Sequence, residues 1–498
     1  MIFIHKFRVF HNRNTFSHRL FRSLRICGLG AILSCCPPAF AESGVHAGFL
    51  FDEFPLTLDA GHRTEAAGPF FYDQQKDSER TWAVPPLYSH DEDPAVESRE
   101  DDFLYPLLTY ECYGREYRWQ FVQLFSVAGG ANQDGSEKRR VTVYPLYFQQ
   151  RSPHTNENYT ALVPIYGHLK DRLMRDEIFF VMFPIYSETR KHDVVTDNYL
   201  YPFFDLQHGD GMRGWQLWPL FGTRHKAVTI ATNGFGDTEV VGGYDRYFAL
   251  WPVHFWQNNG IGMDDPERFR ADLPFYSYSR SPKRDSTTVL WPFFNWIDDR
   301  DKKYREWEGP WPFVVVARGE GKTATRVFPL FSRAHSDTYV SDFYLWPLYQ
   351  FRSINSEPLD QKRTRILFYL FQNVTDKNTA TGREQHRVDL WPLFTWRRDF
   401  SGNTRLQILA PVETALPHNR GVERNWAPLW SVWRSETNPA TGGGSQSLLW
   451  NLYRRDTTPD VKKCSLLFGL FQYQSKPEGK TVRLFYIPVS KTKSPTIK

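Results

Sequence analysis

The chain has 498 residues, a net charge of +5 and an aromatic content of 16%, with 40 Phe, 25 Tyr and 17 Trp. Mean hydropathy is nevertheless −0.53, a combination that arises from many short apolar segments separated by polar turns; no run of about 18 apolar residues exists to form a transmembrane helix. Basic and acidic residues, 61 against 56, are interspersed, so there is no basic stripe of the kind that binds nucleic acid, and no nucleic-acid partner is expected.

In chain order, the first element is an address. Lys6, Arg8, Arg13, Arg19, Arg22 and Arg25 form a basic, acid-free region ahead of a short apolar stretch at 26–36. Ala39-Phe40-Ala41 then fits the small-residue rule of signal peptidase, which predicts a signal peptide over 1–41, Glu42 as the first mature residue, and export across the inner membrane. A second reading takes Ile32-Leu33-Ser34-Cys35 as a lipidation box with Cys35 acylated. Cleavage after Ala41 removes Cys27, Cys35 and Cys36 and leaves Cys112 and Cys464. In an oxidising compartment these two either pair, joining opposite ends of the chain, or stay as separate thiols.

Residues 42–100 read as an N-terminal β segment, 101–490 as a repeat array and 491–498 as a polar tail. The array repeats a box of aromatic, proline, apolar and aromatic residues. Tyr144-Pro145-Leu146-Tyr147, Tyr201-Pro202-Phe203-Phe204, Trp218-Pro219-Leu220-Phe221, Trp291-Pro292-Phe293-Phe294, Trp346-Pro347-Leu348-Tyr349, Trp391-Pro392-Leu393-Phe394 and Ala427-Pro428-Leu429-Trp430 are copies. The prolines recur roughly every 19 residues, and polar clusters such as Asp299-Arg300-Asp301-Lys302 and Ser401-Gly402-Asn403 separate them. This period predicts one strand of about ten residues plus a turn, with the proline at the strand centre. The expected fold is therefore all-β: a large antiparallel up-and-down meander of about 20 strands, closed as a β-barrel, with a two-layer or open β-repeat array as the alternative.

Alternation through the proline assigns Thr288, Leu290, Pro292, Phe294 and Trp296 to one face and Thr287, Val289, Trp291, Phe293 and Asn295 to the other. The first face is apolar over about nine residues, which span about 25 Å, the height of the lipid band of an outer-membrane barrel. Proline at the strand centre counts against that barrel, because each one removes a ladder hydrogen bond that lipid cannot replace.

Candidate chemistry is sparse. The stretch 314–323 has Val316 where a phosphate loop needs glycine, and a strand follows it instead of a helix, so it reads as a hairpin turn. His90-Asp91-Glu92-Asp93 with Glu97, Glu100, Asp101 and Asp102 is the densest acidic segment, but it lacks calcium-loop spacing and reads as a solvated loop. His208-Gly209-Asp210-Gly211, Asp264-Asp265 and Asp298-Asp299 read as turn charges. No catalytic, cofactor-binding or metal-binding residues are assigned, and no cofactor is expected.

The recurrent Trp-Pro-Leu-Phe boxes, with Gly61-His62-Arg63-Thr64-Glu65, Gly68-Pro69-Phe70-Phe71-Tyr72 and Glu116-Tyr117-Arg118-Trp119-Gln120, resemble a group of exported bacterial proteins that is uncharacterised. The resemblance covers most of the mature chain. It implies compartment and strand architecture and assigns no residue a role. The expected function is non-enzymatic: an outer-membrane β-barrel with a channel, transport or structural role and outer-membrane lipid as its surroundings. The alternative is a periplasmic or surface-attached scaffold that binds a polysaccharide or protein ligand, and a glycan-acting hydrolase stands third.

Overall fold

A computed structural model describes residues 47–493, apart from 48, 132–134, 136 and 233–235. The expected signal peptide, Cys35 and the end of the polar tail lie outside the described residues.

Period-two segments rich in aromatic and β-branched residues form short strands, commonly of six residues, such as Arg284–Val289 and Phe294–Asp299. Each strand pairs antiparallel with its neighbours in sequence. Arg284–Val289, for example, lies between Tyr276–Arg280 and Phe294–Asp299. Repeated along the chain, this rule builds one 43-stranded sheet. The same ladder runs through residue 100, since Ser98–Phe103 pairs with Tyr88–Asp93 on one side and Leu108–Tyr113 on the other. One hairpin, Thr229–Thr232 with Thr238–Val241, stands apart from the ladder. The ladder passes it by pairing Phe221–Lys226 directly with Gly243–Ala249.

The all-β, antiparallel meander is present, but its strand number and closure differ from expectation. The sheet has 43 strands instead of about 20. It is not closed: among the described residues Phe51–Pro55 pairs only with Gly61–Ala66, and Ile487–Lys493 only with Gly479–Leu484. The cause of the miscount is the position of the proline, which lies in a turn and not at a strand centre. Leu290-Trp291-Pro292-Phe293 joins Arg284–Val289 to Phe294–Asp299, with a cis Trp291–Pro292 bond and Leu290 at φ 50. Each period therefore holds two strands and two turns. The nine-residue apolar run is two strand ends and the turn between them, so the alternation resets across it. Val289 pairs with Phe294, Thr288 with Asn295 and Thr287 with Trp296, and each face assigned from sequence mixes residues from both real ones.

One box does something else. Ala427-Pro428-Leu429-Trp430 is helical, forming α2 (Ala427–Trp430) directly after α1 (Arg420–Asn425). The Val422 amide donates to the Asn419 side chain at 2.9 Å, capping α1.

The sheet's two faces differ sharply. The inner face carries nearly all the buried side chains, and these are small or polar along most of its length, as in the register Ser89, Asp102, Thr109. Its apolar clusters are formed by consecutive strands: Phe148, Tyr159, Ala161, Leu169 and Phe180 make one, Tyr304, Ala317 and Ala324 another. Side chains, not backbone bonds, bring the two ends of the sheet together. The Arg454 guanidinium lies 3.2 Å from the Phe54 ring centroid, Asn451 Nδ2 donates to Glu65 Oε2 at 2.7 Å, and the Phe49 and Phe468 rings meet at 5.5 Å.

Candidate lipid-contacting edge and inner face

In a meander, alternate turns fall on opposite edges of the sheet. Here the proline boxes occupy one edge, and polar turns such as Asp210-Gly211, between Phe204–Gly209 and Met212–Leu217, occupy the other. The box edge is apolar and exposed. Many of its turns place a leucine in the left-handed region; among them, Leu104, Leu200, Leu250, Leu290, Leu345 and Leu367 have φ between 44 and 50. Glycine is the residue that backbone sterics favour there, and a leucine costs about 1–2 kcal/mol. These leucines are 43–59% exposed, so nothing within the fold offsets that cost by burial.

Most backbone donors of this edge are paired within it. Leu290 N donates to Phe275 O at 2.8 Å, Trp291 N to Pro274 O at 2.7 Å and Phe293 N to Leu290 O at 2.9 Å, while Pro292 has no N–H to satisfy. Leu250, Trp251 and Val253 repeat the pattern two box turns earlier along the ladder, and Leu345, Trp346 and Leu348 repeat it later. The proline that would weaken a strand centre instead removes a donor from an exposed turn.

Away from this edge, on the outer face, the first row of side chains is apolar, as in Leu217 opposite Phe221 and Phe331 opposite Tyr344. The next row includes the exposed Trp119, Trp215, Trp296 and Trp307, and polar residues follow toward the far edge.

The inner face is charged at both ends of the sheet. Arg424, on α1, lies 3.2 Å from Asp91 and 2.9 Å from Asp102, and it also pairs with Glu100. Burial pushes the Glu100 carboxyl up, against the pull of Arg424. Asp101 points to the outer face, 2.7 Å from both His90 and Arg99. Burial would raise its carboxyl, but hydrogen bonds from His90, Arg99 and Tyr88 hold it down at about 2. The acidic segment is therefore split across the sheet and occupied by the chain's own cations. Further along the inner face, carboxylates partner most arginines: Arg387 with Asp389 at 2.7 Å, Arg397 with Glu423 at 2.6 Å, Arg434 with Glu436 at 2.6 Å and Arg454 with Asp456 at 2.9 Å.

Four arginines of the same face differ. Arg326, Arg352, Arg363 and Arg365 line one recess of about 380 Å³ together with Ser341, Gln350 and Phe343. Arg352 and Arg363 are direct register partners across adjacent strands. Arg365 Nε reaches Gln372 at 3.1 Å and Arg363 Nη2 reaches Gln361 at 3.2 Å. The Nε atoms of Arg326 and Arg363 are buried without a hydrogen-bond partner.

The other sequence candidates stay separate. Gly319-Glu320-Gly321 lies at a hairpin turn between Val314–Gly319 and Lys322–Val327. Asp285 and Arg300 pair at 3.1 Å beside the turn that follows Asp298 and Asp299. Cys112 and Cys464 are free thiols and do not pair. Among the described residues, no group of three or more His, Cys, Asp or Glu could hold a metal ion, and no helix is long and apolar enough to cross a membrane. The arginine recess went unnoticed in the sequence because its members come from strands whose register the proline boxes disguise. No protein-family model matches the chain, and no curated protein sequence matches it.

Proposed function

We propose that the chain is an exported, non-enzymatic β scaffold that seats its proline-turn edge in one leaflet of a membrane, the outer membrane being the surface its expected export route reaches. One observation carries this reading: an edge of exposed apolar turns in which most backbone donors are already hydrogen-bonded. Any backbone entering lipid must meet that second condition. Six-residue strands rise only about 20 Å, short of the roughly 25 Å lipid band of a spanning barrel. Insertion to the depth of the turns and the first outward row, about 5–10 Å, places the Trp row at the interface where such rings are favoured.

The left-handed leucines supply the test. In the quadruple variant Leu200→Gly, Leu250→Gly, Leu290→Gly and Leu345→Gly the backbone is relaxed while four exposed apolar side chains are lost. At roughly 1 kcal/mol for each half-exposed leucine, membrane partitioning falls by about a thousand-fold. The expected result is flotation of the wild type with phosphatidylcholine vesicles, and loss of flotation in the variant with its β circular dichroism and melting temperature kept. A wild type that stays in the aqueous fraction, or a variant that floats equally well, overturns the proposal.

A further inference from the structure

We propose that the recess formed by Arg326, Arg352, Arg363 and Arg365 is a binding site for a ligand carrying two or more phosphate groups. Like charges directly opposite each other on paired strands are unfavourable, yet Arg352 faces Arg363 in register and Arg365 projects from the same strand face two residues on. For Arg387, Arg397, Arg434 and Arg454 on this face a carboxylate stands beside the guanidinium. Among the described residues, none stands within ion-pair distance of these four. The absence is local and leaves a surplus of positive charge in a concave site. The environment registers it: burial first, then Arg365 and Arg352, push the Arg363 guanidinium below its ordinary value, against the opposing pull of Asp376 and Tyr369.

The chemistry of the lining selects the ligand class. A guanidinium offers a planar fork of donors that matches phosphate in a bidentate manner. The buried Nε donors of Arg326 and Arg363 have no partner, and a buried donor left unpaired costs about 1–3 kcal/mol. Ser341 and Gln350 add neutral hydrogen-bonding groups, Phe343 closes part of the wall, and the lining carboxylate, Asp342, is engaged by His335 at 3.2 Å. The volume suits a small ligand. A single phosphate can neutralise two of the four guanidiniums at most, so the site calls for at least two phosphate groups. These can belong to a lipid headgroup or to a water-soluble phosphorylated molecule.

The experiment uses the full chain and two probes, sodium tripolyphosphate in solution and phosphatidylcholine vesicles containing phosphatidic acid. Calorimetric titration is expected to show saturable tripolyphosphate binding, at least ten-fold weaker in Arg352→Gln/Arg363→Gln and unchanged in Arg333→Gln, whose side chain bonds Tyr344 elsewhere. A headgroup source shows as tighter vesicle binding that tripolyphosphate displaces. A soluble source shows as tripolyphosphate binding with no gain from phosphatidic acid. The charge-conserving Arg363→Lys, which keeps the fold but loses the fork, is also expected to weaken binding. Without ligand, the double glutamine variant should melt no lower than the wild type, because it removes a like-charge pair. Absence of wild-type binding to both probes, or binding insensitive to these substitutions, overturns the proposal. Flotation with neutral phosphatidylcholine alone should be unaffected by the arginine variants, which separates this test from that of the leucine edge.

Discussion

Gly167 shows how tightly the inner face is packed at the level of single side chains. It lies between Ala161 and Phe180 in register. A Cβ at this position would meet the Ala161 Cβ at 2.3 Å and the Phe180 ring at 2.6 Å. The Ala161 Cα, at 2.7 Å, is backbone and cannot swing aside. Gly167→Ala is therefore expected to destabilise by about 1–3 kcal/mol, the usual penalty for overpacking. A lower melting temperature in a thermal scan would show it. Ala161→Gly removes the nearest clashing atom, so the double variant should regain part of the loss. An unshifted melt in Gly167→Ala would mean that neighbouring strands separate at no cost and that the Phe148–Phe180 cluster is loose. No glycine pattern in the sequence marked this position, because the need arises from side chains two strands apart in the ladder.

At the scale of elements, the hairpin was partly legible. Alternating apolar residues around Pro292 and the polar cluster at 299–302 identify strands, turns and a period. They do not reveal that the box is itself a turn. Trp291 and Phe293 continue an apolar run that reads as strand interior, and only three-dimensional stacking on Pro274 and Phe275 shows that the run bends. The helical insertion was illegible for a different reason. α1 and α2 are too short for a 3.6-residue pattern, and Ala427-Pro428-Leu429-Trp430 imitates a box. What holds α1 in place is electrostatic. Glu423 lies 2.6 Å from Arg397 and 3.6 Å from Arg405. Burial would raise its carboxyl, but Arg405 and Arg397 outweigh burial and hold it down at about 2, from an ordinary value of 4.5. A depressed carboxylate contributes stability that is present in full above its unfolded value and lost as pH falls through the folded one. The window here thus runs from about pH 4.5 down to about 2. Above that window Glu423→Gln should be less stable than the wild type by roughly 2–3 kcal/mol, and the gap in urea midpoint should close as pH approaches 2. A gap that stays constant with pH would mean that the carboxylate's charge contributes nothing to stability.

Across the whole molecule, each strand pairs with its sequence neighbours, and among the described residues no ladder joins the two ends of the sheet, which meet through contacts of side chains. Such an array behaves as a one-dimensional chain of units, in which damage stays local and sub-global opening is expected. Arg424 gathers one cluster of these closing contacts. Its guanidinium holds Asp91, Glu100 and Asp102, and its backbone carbonyl accepts from Tyr72 Oη at 3.0 Å. Asp102 is fully buried, so Arg424→Met leaves a buried carboxylate without its cation, a change that costs about 3–5 kcal/mol. In a closed barrel that penalty would spread around a continuous ladder. In an open sheet it falls on the ends. Hydrogen exchange followed by mass spectrometry should therefore show faster exchange in Gly61–Ala66, Ser98–Phe103 and α1 of the variant. Val314–Gly319 and Tyr349–Ile354, in the middle of the ladder, should keep wild-type protection. Uniform acceleration along all strands would show that the sheet opens as a single cooperative unit, while unchanged exchange at the ends would place the closing energy in the Arg454–Phe54 and Asn451–Glu65 contacts.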